Sequence, residues 1–184
     1  MLTNKLRLVW DINLFRVRIN DIDILVAPKT LAPFAIDAVV EEQDRALILS
    51  NPDIITETED KPAWFLANKL ESQSLLKPGS VIKRDTKPLR LLAIVHDLDR
   101  EPSWSSGWIA QALDNIIKLS DEQEISSIQL PILGAQHGRY EPEEFLQLFV
   151  IAVNKAQGKL KKIWLIVPEQ DCYQTLSILK GEPL

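Results

Sequence analysis

A single cysteine, Cys172, and two histidines, His96 and His137, are all that 184 residues offer to thiol or imidazole chemistry. One cysteine excludes an internal disulfide and fits a reducing compartment. Long apolar runs are missing as well. No window approaches the roughly 20 uninterrupted apolar residues of a membrane span, so no membrane partner is expected. The opening stretch, MLTNKLRLVWDINLF, carries charge throughout and lacks the basic-then-apolar pattern of a secretory signal. A cytoplasmic protein is the expectation. The formal net charge is −5, which argues against broad attraction to nucleic acid. The one basic cluster, Lys155, Lys159, Lys161 and Lys162, reads as a solvated face ahead of a strand. HExxH, GxSxG, P-loop and dinucleotide fingerprints do not occur, and neither a metal nor a cofactor is expected.

What is present is an ordinary globular composition, with 46% apolar and 26% charged residues and no repeat, low-complexity tract or linker. One domain spanning residues 1–184 is expected. Leu6 to Trp10, Leu14 to Ile19 and Ile22 to Ala27 read as strands. After Pro28, the spacing of Leu31, Phe34, Ala35, Ala38 and Val39 predicts a helix ending near Gln43, and Ala46 to Leu49 is then strand-like. An acidic loop from Asn51 to Asp60 precedes a predicted helix with Pro62 in its first turn and Trp64, Phe65, Ala67 and Leu70 on its face. The second half is more regular. Strands are predicted at Ser80 to Lys83, Leu89 to Val95, Ile128 to Leu133 and Ile163 to Val167. Helices are predicted around Ile109 to Ser120 and Phe145 to Ala152, with a closing one through Leu179. Such alternation implies an α/β fold: three layers, α/β/α, with a mixed, largely parallel sheet and extra N-terminal strands.

The stretch SSIQLPILGAQHGRY, residues 126–140, carries the strongest functional signal. A loop leaving the carboxyl end of a parallel strand offers unpaired N–H groups to an anion. Gly134 and Gly138 allow close backbone approach, Arg139 adds charge, and Tyr140 offers a ring to stack on a ribose or base. Equally, the glycines make a turn and Tyr140 caps the core.

Order and spacing over about residues 46–167 resemble the macro domains, which bind ADP-ribose and related nucleotide ends. ALILSN resembles that family's strand ending in asparagine, LKPGSVIKRD its glycine-containing hairpin strand, and LLAIVHDL its strand ending in histidine. SSIQLPILGAQHGRY is similar to its proline-containing strand and second phosphate loop. The resemblance implies a ligand site at Asn51, Ser105, Gly134, Ala135, Gln136, His137, Gly138, Arg139 and Tyr140, for a small nucleotide-like ligand. Two departures stand out. NPDIITETEDKP replaces the family's first glycine run, and ILVAPKT lacks its adenine-recognising aspartate. Glu57, Glu59 and Asp60 would repel a diphosphate, by about 1 kcal/mol or more each at close range.

Three readings follow. The first is a noncatalytic macro-like binding or scaffold module. The alternative is a hydrolase removing ADP-ribose or phosphate groups through a remodelled site with Asn51. The third is a homo-oligomer built on an apolar strand edge. Among other chemistries, Cys172 falls in the last helix and reads as a buried thiol. His96 and His137 with Asp97 or Asp99 lack a metal-ligand spacing. Ser105 also suits the N-cap of the next helix, and Trp104 and Trp108 the core.

Overall fold

Seven strands form one mixed sheet in the computed structural model, which describes residues 15–49 and 75–182. The strands are β1 (Arg16–Ile19), β2 (Ile22–Ala27), β3 (Ala38–Asp44), β4 (Val81–Arg84), β5 (Leu89–His96), β6 (Ser127–Pro131) and β7 (Lys162–Ile166). Their spatial order is β1-β2-β7-β6-β3-β5-β4. All neighbours from β2 to β5 run parallel, and the outer pairs β1–β2 and β4–β5 are antiparallel. The described helices are α1 (Ser106–Glu122), α2 (Ala135–Gly138), α3 (Pro142–Lys155) and α4 (Cys172–Lys180). None is long and apolar enough to cross a membrane.

Each long helix follows from its own pattern. In α1, Ile109, Leu113 and Ile116 recur at helical spacing and are buried, and Ser105 stands at the N-cap without a side-chain capping bond. Pro142 opens α3, where Glu143 and Glu144 sit against the positive end of the helix dipole and Lys155 against the negative end. These helices and α4 join a single apolar cluster with alternate strand residues, among them Ile24, Val40, Ala93, Leu130 and Leu165. Phe145 and Phe149 stack within it at 5.9 Å. The intervening residues, such as Glu41, Gln43, Gln129 and Trp164, belong to the opposite face of the sheet. Most predicted elements of the second half fall within a few residues of the observed ones. The predicted strand at Leu6 to Trp10 and helix after Pro62 lie outside the described residues.

Two expectations are corrected. The chain from Pro28 to Gln43 is not a helix. Residues 28–37 are turns and irregular backbone, and Ala38–Asp44 is β3, hydrogen-bonded between β5 and β6. The three- and four-residue spacing of Leu31 to Val39 was broken by Pro33 and outweighed by two β-branched valines that fit a central strand. Ala46 to Leu49 is a turn rather than a strand. Of the stretch ALILSN, Ser50 and Asn51 lie outside the described residues, and the strand before it, β3, ends on Asp44.

Asp37 sets the register at the other end of β3. Its Oδ2 accepts from Ser126 N at 2.9 Å, Ser126 Oγ at 2.7 Å and Ser127 N at 3.0 Å. Its own N–H donates to Ser127, and its carbonyl accepts from Leu89 N at 2.9 Å. One residue thereby ties the starts of β3, β5 and β6 together. Desolvation opposes the Asp37 charge, but the hydrogen bonds from the two serines outweigh it and hold the carboxyl below its ordinary 3.8. Asp37→Asn should cost about 0.5–1 kcal/mol in urea unfolding at pH 7, a modest figure because the side chain is exposed. Because the folded-state pKa is depressed, that difference is full above the unfolded pKa and disappears as pH falls through the folded one. Urea titrations at pH 7 and pH 3 check both.

Candidate functional site

The carboxyl ends of β3, β5 and β6 meet at the loop that follows β6. Gly134 has φ +83°, and an added Cβ would come within 2.9 Å of Ile109 Cδ1 and 3.0 Å of Tyr140 Cβ. Its carbonyl accepts from Gly138 N at 3.1 Å and Tyr140 N at 3.0 Å, closing the short helix α2. A Cβ at Gly138 would collide with the Trp104 ring, whose indole N–H donates to the Gly138 carbonyl. Both glycines are required by close approach, but the approach is to the protein's own side chains.

At the centre of this loop is a carboxylate. Glu42 Oε2 accepts from Gly134 N at 2.7 Å, and Oε1 accepts from His137 N at 3.0 Å. His96 Nε2 lies 3.3 Å from the same Oε1, and His137 Nε2 lies 3.9 Å away. The Glu42 side chain is 3% exposed and His96 is fully buried. On the other side of the ring, His96 Nδ1 lies 3.2 Å from Ser103 Oγ. A register shift between Gln43 and Asp44 brings Asp44 opposite His96, the kind of bulge that re-aims a side chain at a strand end.

A second carboxylate fills the loop after β3. Asp44, 2% exposed, accepts from Ala46 N at 2.7 Å, Ile48 N at 2.6 Å and Leu49 N at 2.9 Å. Asp97, the residue after β5, pairs with Arg45 at 2.9 Å and Arg100 at 3.2 Å. Backbone amides on both loops are thus occupied by side-chain carboxylates.

Beside the closed loop, on the face of the sheet away from the apolar cluster, lies a cavity of about 380 Å³. Among the described residues its lining includes Lys29, Gln43, Gln129, Pro131, Gln136 and His137. The residues predicted for the site are therefore dispersed. Gln136 and His137 border the cavity, Arg139 is exposed with φ +53°, and Ala135 is half-buried. Tyr140 is 2% exposed and packs on Trp104 at 4.6 Å. Burial and then the neighbouring Glu144 raise its hydroxyl pKa above the ordinary value. Ser105 is the half-buried N-cap of α1, and Asn51 lies outside the described residues. Sequence reasoning missed Glu42, Gln43 and Asp44. Their signal was the polar run EEQD directly after AVV, legible only once the segment is read as a strand.

Ser103, His96 and Glu42 lie in line, the order of a nucleophile, base and orienting acid. The buried imidazole faces Glu42 through Nε2 and Ser103 through Nδ1, so the line ties the end of β5 to β3 and to the residues ahead of α1. Among those residues no three of His, Cys, Asp and Glu group as metal ligands. Cys172 is fully buried and its thiol donates to the Pro168 carbonyl at 3.5 Å. Burial, with Glu169 and Asp171 adding to it, pushes that thiol up to about 11. Iodoacetamide at pH 8 should therefore leave Cys172 unmodified in the folded chain and alkylate it fully in denaturant, as intact-mass measurement would show.

No family model matches the sequence, and no curated protein matches it. Solved structures do match. A variant of the Oceanobacillus iheyensis macrodomain, solved with ADPR, aligns at 15% identity and TM-score 0.59, covering 91% of this chain and 95% of that one. The macro domain of ganglioside induced differentiation associated protein 2 aligns at 16% identity and TM-score 0.59, over 89% of this chain and 88% of its own. The macrodomain of Thermus aquaticus DarG aligns at 18% identity and TM-score 0.57, over 79% and 98%. Together with the sheet order and the strand–loop geometry, these alignments show that the chain has the macro-domain fold.

Proposed function

We propose that this chain is a noncatalytic binding or scaffold module of macro-domain fold whose cleft no longer takes a diphosphate. The observation that carries the reading is the Glu42 carboxylate, which accepts from the Gly134 and His137 amides in the loop where an anionic ligand would bind. A similar structure was solved with ADPR, and the same class of small nucleotide-like ligand is the natural candidate here. Its phosphates, however, would have to displace a buried carboxylate and then lie beside it. Like charges about 4 Å apart repel by about 4 kcal/mol at an effective dielectric of 20. Asp44 raises the same obstacle at the loop after β3. Catalysis on an ADP-ribosyl group through Asn51 would need a phosphate cradle that these acids close.

Calorimetric titration of the natural chain with ADP-ribose at moderate salt should show no low-micromolar affinity. Glu42→Gln removes the charge while keeping the shape, and should improve ADP-ribose binding at least tenfold. Tight binding by the natural chain, or no gain in a folded Glu42→Gln variant, would count against the reading.

A further inference from the structure

On the helical side of the sheet, a second cavity of about 230 Å³ lies between the start of α3, the end of β7 and the first turns of α4. Ile132, Leu146, Val167 and Ile178 give it an apolar floor, and three acids, Glu141, Glu143 and Asp171, border it. Lysine, arginine and histidine are absent from the described lining, and among the described residues none of the three acids has a cation partner. Acids at helix starts ordinarily cap the helix and meet its dipole. Here Glu141 and Asp171 occupy the N-cap positions of α3 and α4, yet neither side chain makes a capping hydrogen bond. The two helix N-termini bring about half a positive charge each against three full negative ones, so the rim stays negative.

A hydroxyl in the same cavity is unclaimed by the fold. Thr175 lines the cavity at 5% exposure, and among the described residues its Oγ1 has no hydrogen-bond partner. Ser120, equally buried on α1, instead bonds back to the Ile116 carbonyl at 2.8 Å. Nor is the Thr175 hydroxyl sealed in. The unpartnered atoms shut off from any surface among the described residues belong to Gln43, so Thr175 Oγ1 keeps accessible area, and it opens on the cavity that the residue lines.

We propose that this cavity binds an aliphatic ammonium ion, the end group of a lysine side chain or of a free alkyl diamine. Its chain lies on the apolar floor, its charge sits among Glu141, Glu143 and Asp171, and the Thr175 hydroxyl accepts from one of its N–H groups. An ammonium has three donors and no acceptor, which matches a rim of carboxylates and a hydroxyl free to accept. Its alkyl stem buries methylenes while the head stays near water, which matches an apolar floor beneath the exposed Glu141 and Glu143. An anion of the same length would meet three like charges. The cavity shares no described lining residue with the one beside the closed loop, so the proposal stands apart from the reading of the Glu42 carboxylate.

The test uses the full chain at pH 7 and low salt, with ligand-observed NMR and thermal unfolding as readouts. The amine probes are 1,5-diaminopentane and Nα-acetyl-lysine methylamide, and the comparison probes are pentanoate and methylammonium. At least one amine should bind in the millimolar range, and which of them binds separates a free amine from a lysine side chain. Pentanoate, which has the chain but the opposite charge, and methylammonium, which has the charge but no chain, should each bind about tenfold more weakly or not at all. Glu141→Gln combined with Asp171→Asn should weaken amine binding about tenfold. Thr175→Val keeps the branched shape and should weaken it about threefold without lowering Tm, since the hydroxyl has no bond in the fold to lose. No binding by either amine, equal binding of pentanoate or methylammonium, or unchanged affinity in the folded double variant would overturn the proposal. So would a Thr175→Val protein of lower Tm, because the hydroxyl would then already be bonded within the fold. If the double variant does not fold, the pentanoate and methylammonium comparisons on the natural chain decide. ADP-ribose titration reads the other site, so the two proposals fail separately.

Discussion

The Glu42 carboxylate is the constraint on which this end of the molecule depends. A carboxyl group at 3% exposure is tolerated only where hydrogen bonds replace its water, and here two backbone amides and an imidazole do so. The dependence runs both ways. A four-residue helix such as α2 has no stability of its own, and Gly134 and Arg139 flank it in left-handed conformations. The carboxylate gives that strained loop a reason to hold its shape. It also anchors His96, and through Ser103 the chain leading into α1. Loop, strand end and helix approach are positioned by one side chain.

An arrangement of this kind changes what a familiar fold offers chemically. Loops at the carboxyl ends of parallel strands attract anions because their N–H groups are unpaired. Once Glu42 and Asp44 occupy those groups, the same backbone presents a satisfied, negatively charged interior. Fold and ligand chemistry are separable across large fold families.

The periodicity of the second half was sufficient to place its elements because each is locally consistent. Leu91 to Val95 is an unbroken apolar run inside β5, and Ile109, Leu113 and Ile116 recur at helical spacing. β3 was misread because its information is not local. AVVEEQD is half polar, and nothing in its composition says that Glu42 will be met by amides of the loop after β6 and Asp44 by amides of the turn that follows it. A central strand ending in three buried polar residues looks like a solvated helix end until its partners are known. Gly134 and Gly138 stand out in the sequence, but spacing could not distinguish closeness to a ligand from closeness to Trp104 and Ile109. Tyr140 shows the same limit. An aromatic side chain at a loop's end reads alike whether it stacks on a ligand or on Trp104.

Asp37 stands at the opposite pole of the sheet from these loops. Its bonds to Ser126, Ser127 and Leu89 settle which residues of β3, β5 and β6 face one another before the chain reaches the cleft. Register determined at one end leaves the other end free to change its chemistry without unpairing the strands. Mutational drift can therefore exchange glycines for acids at the cleft while the architecture persists. A backbone superimposable on macro domains at about one residue in six identical is the outcome such a division of labour permits.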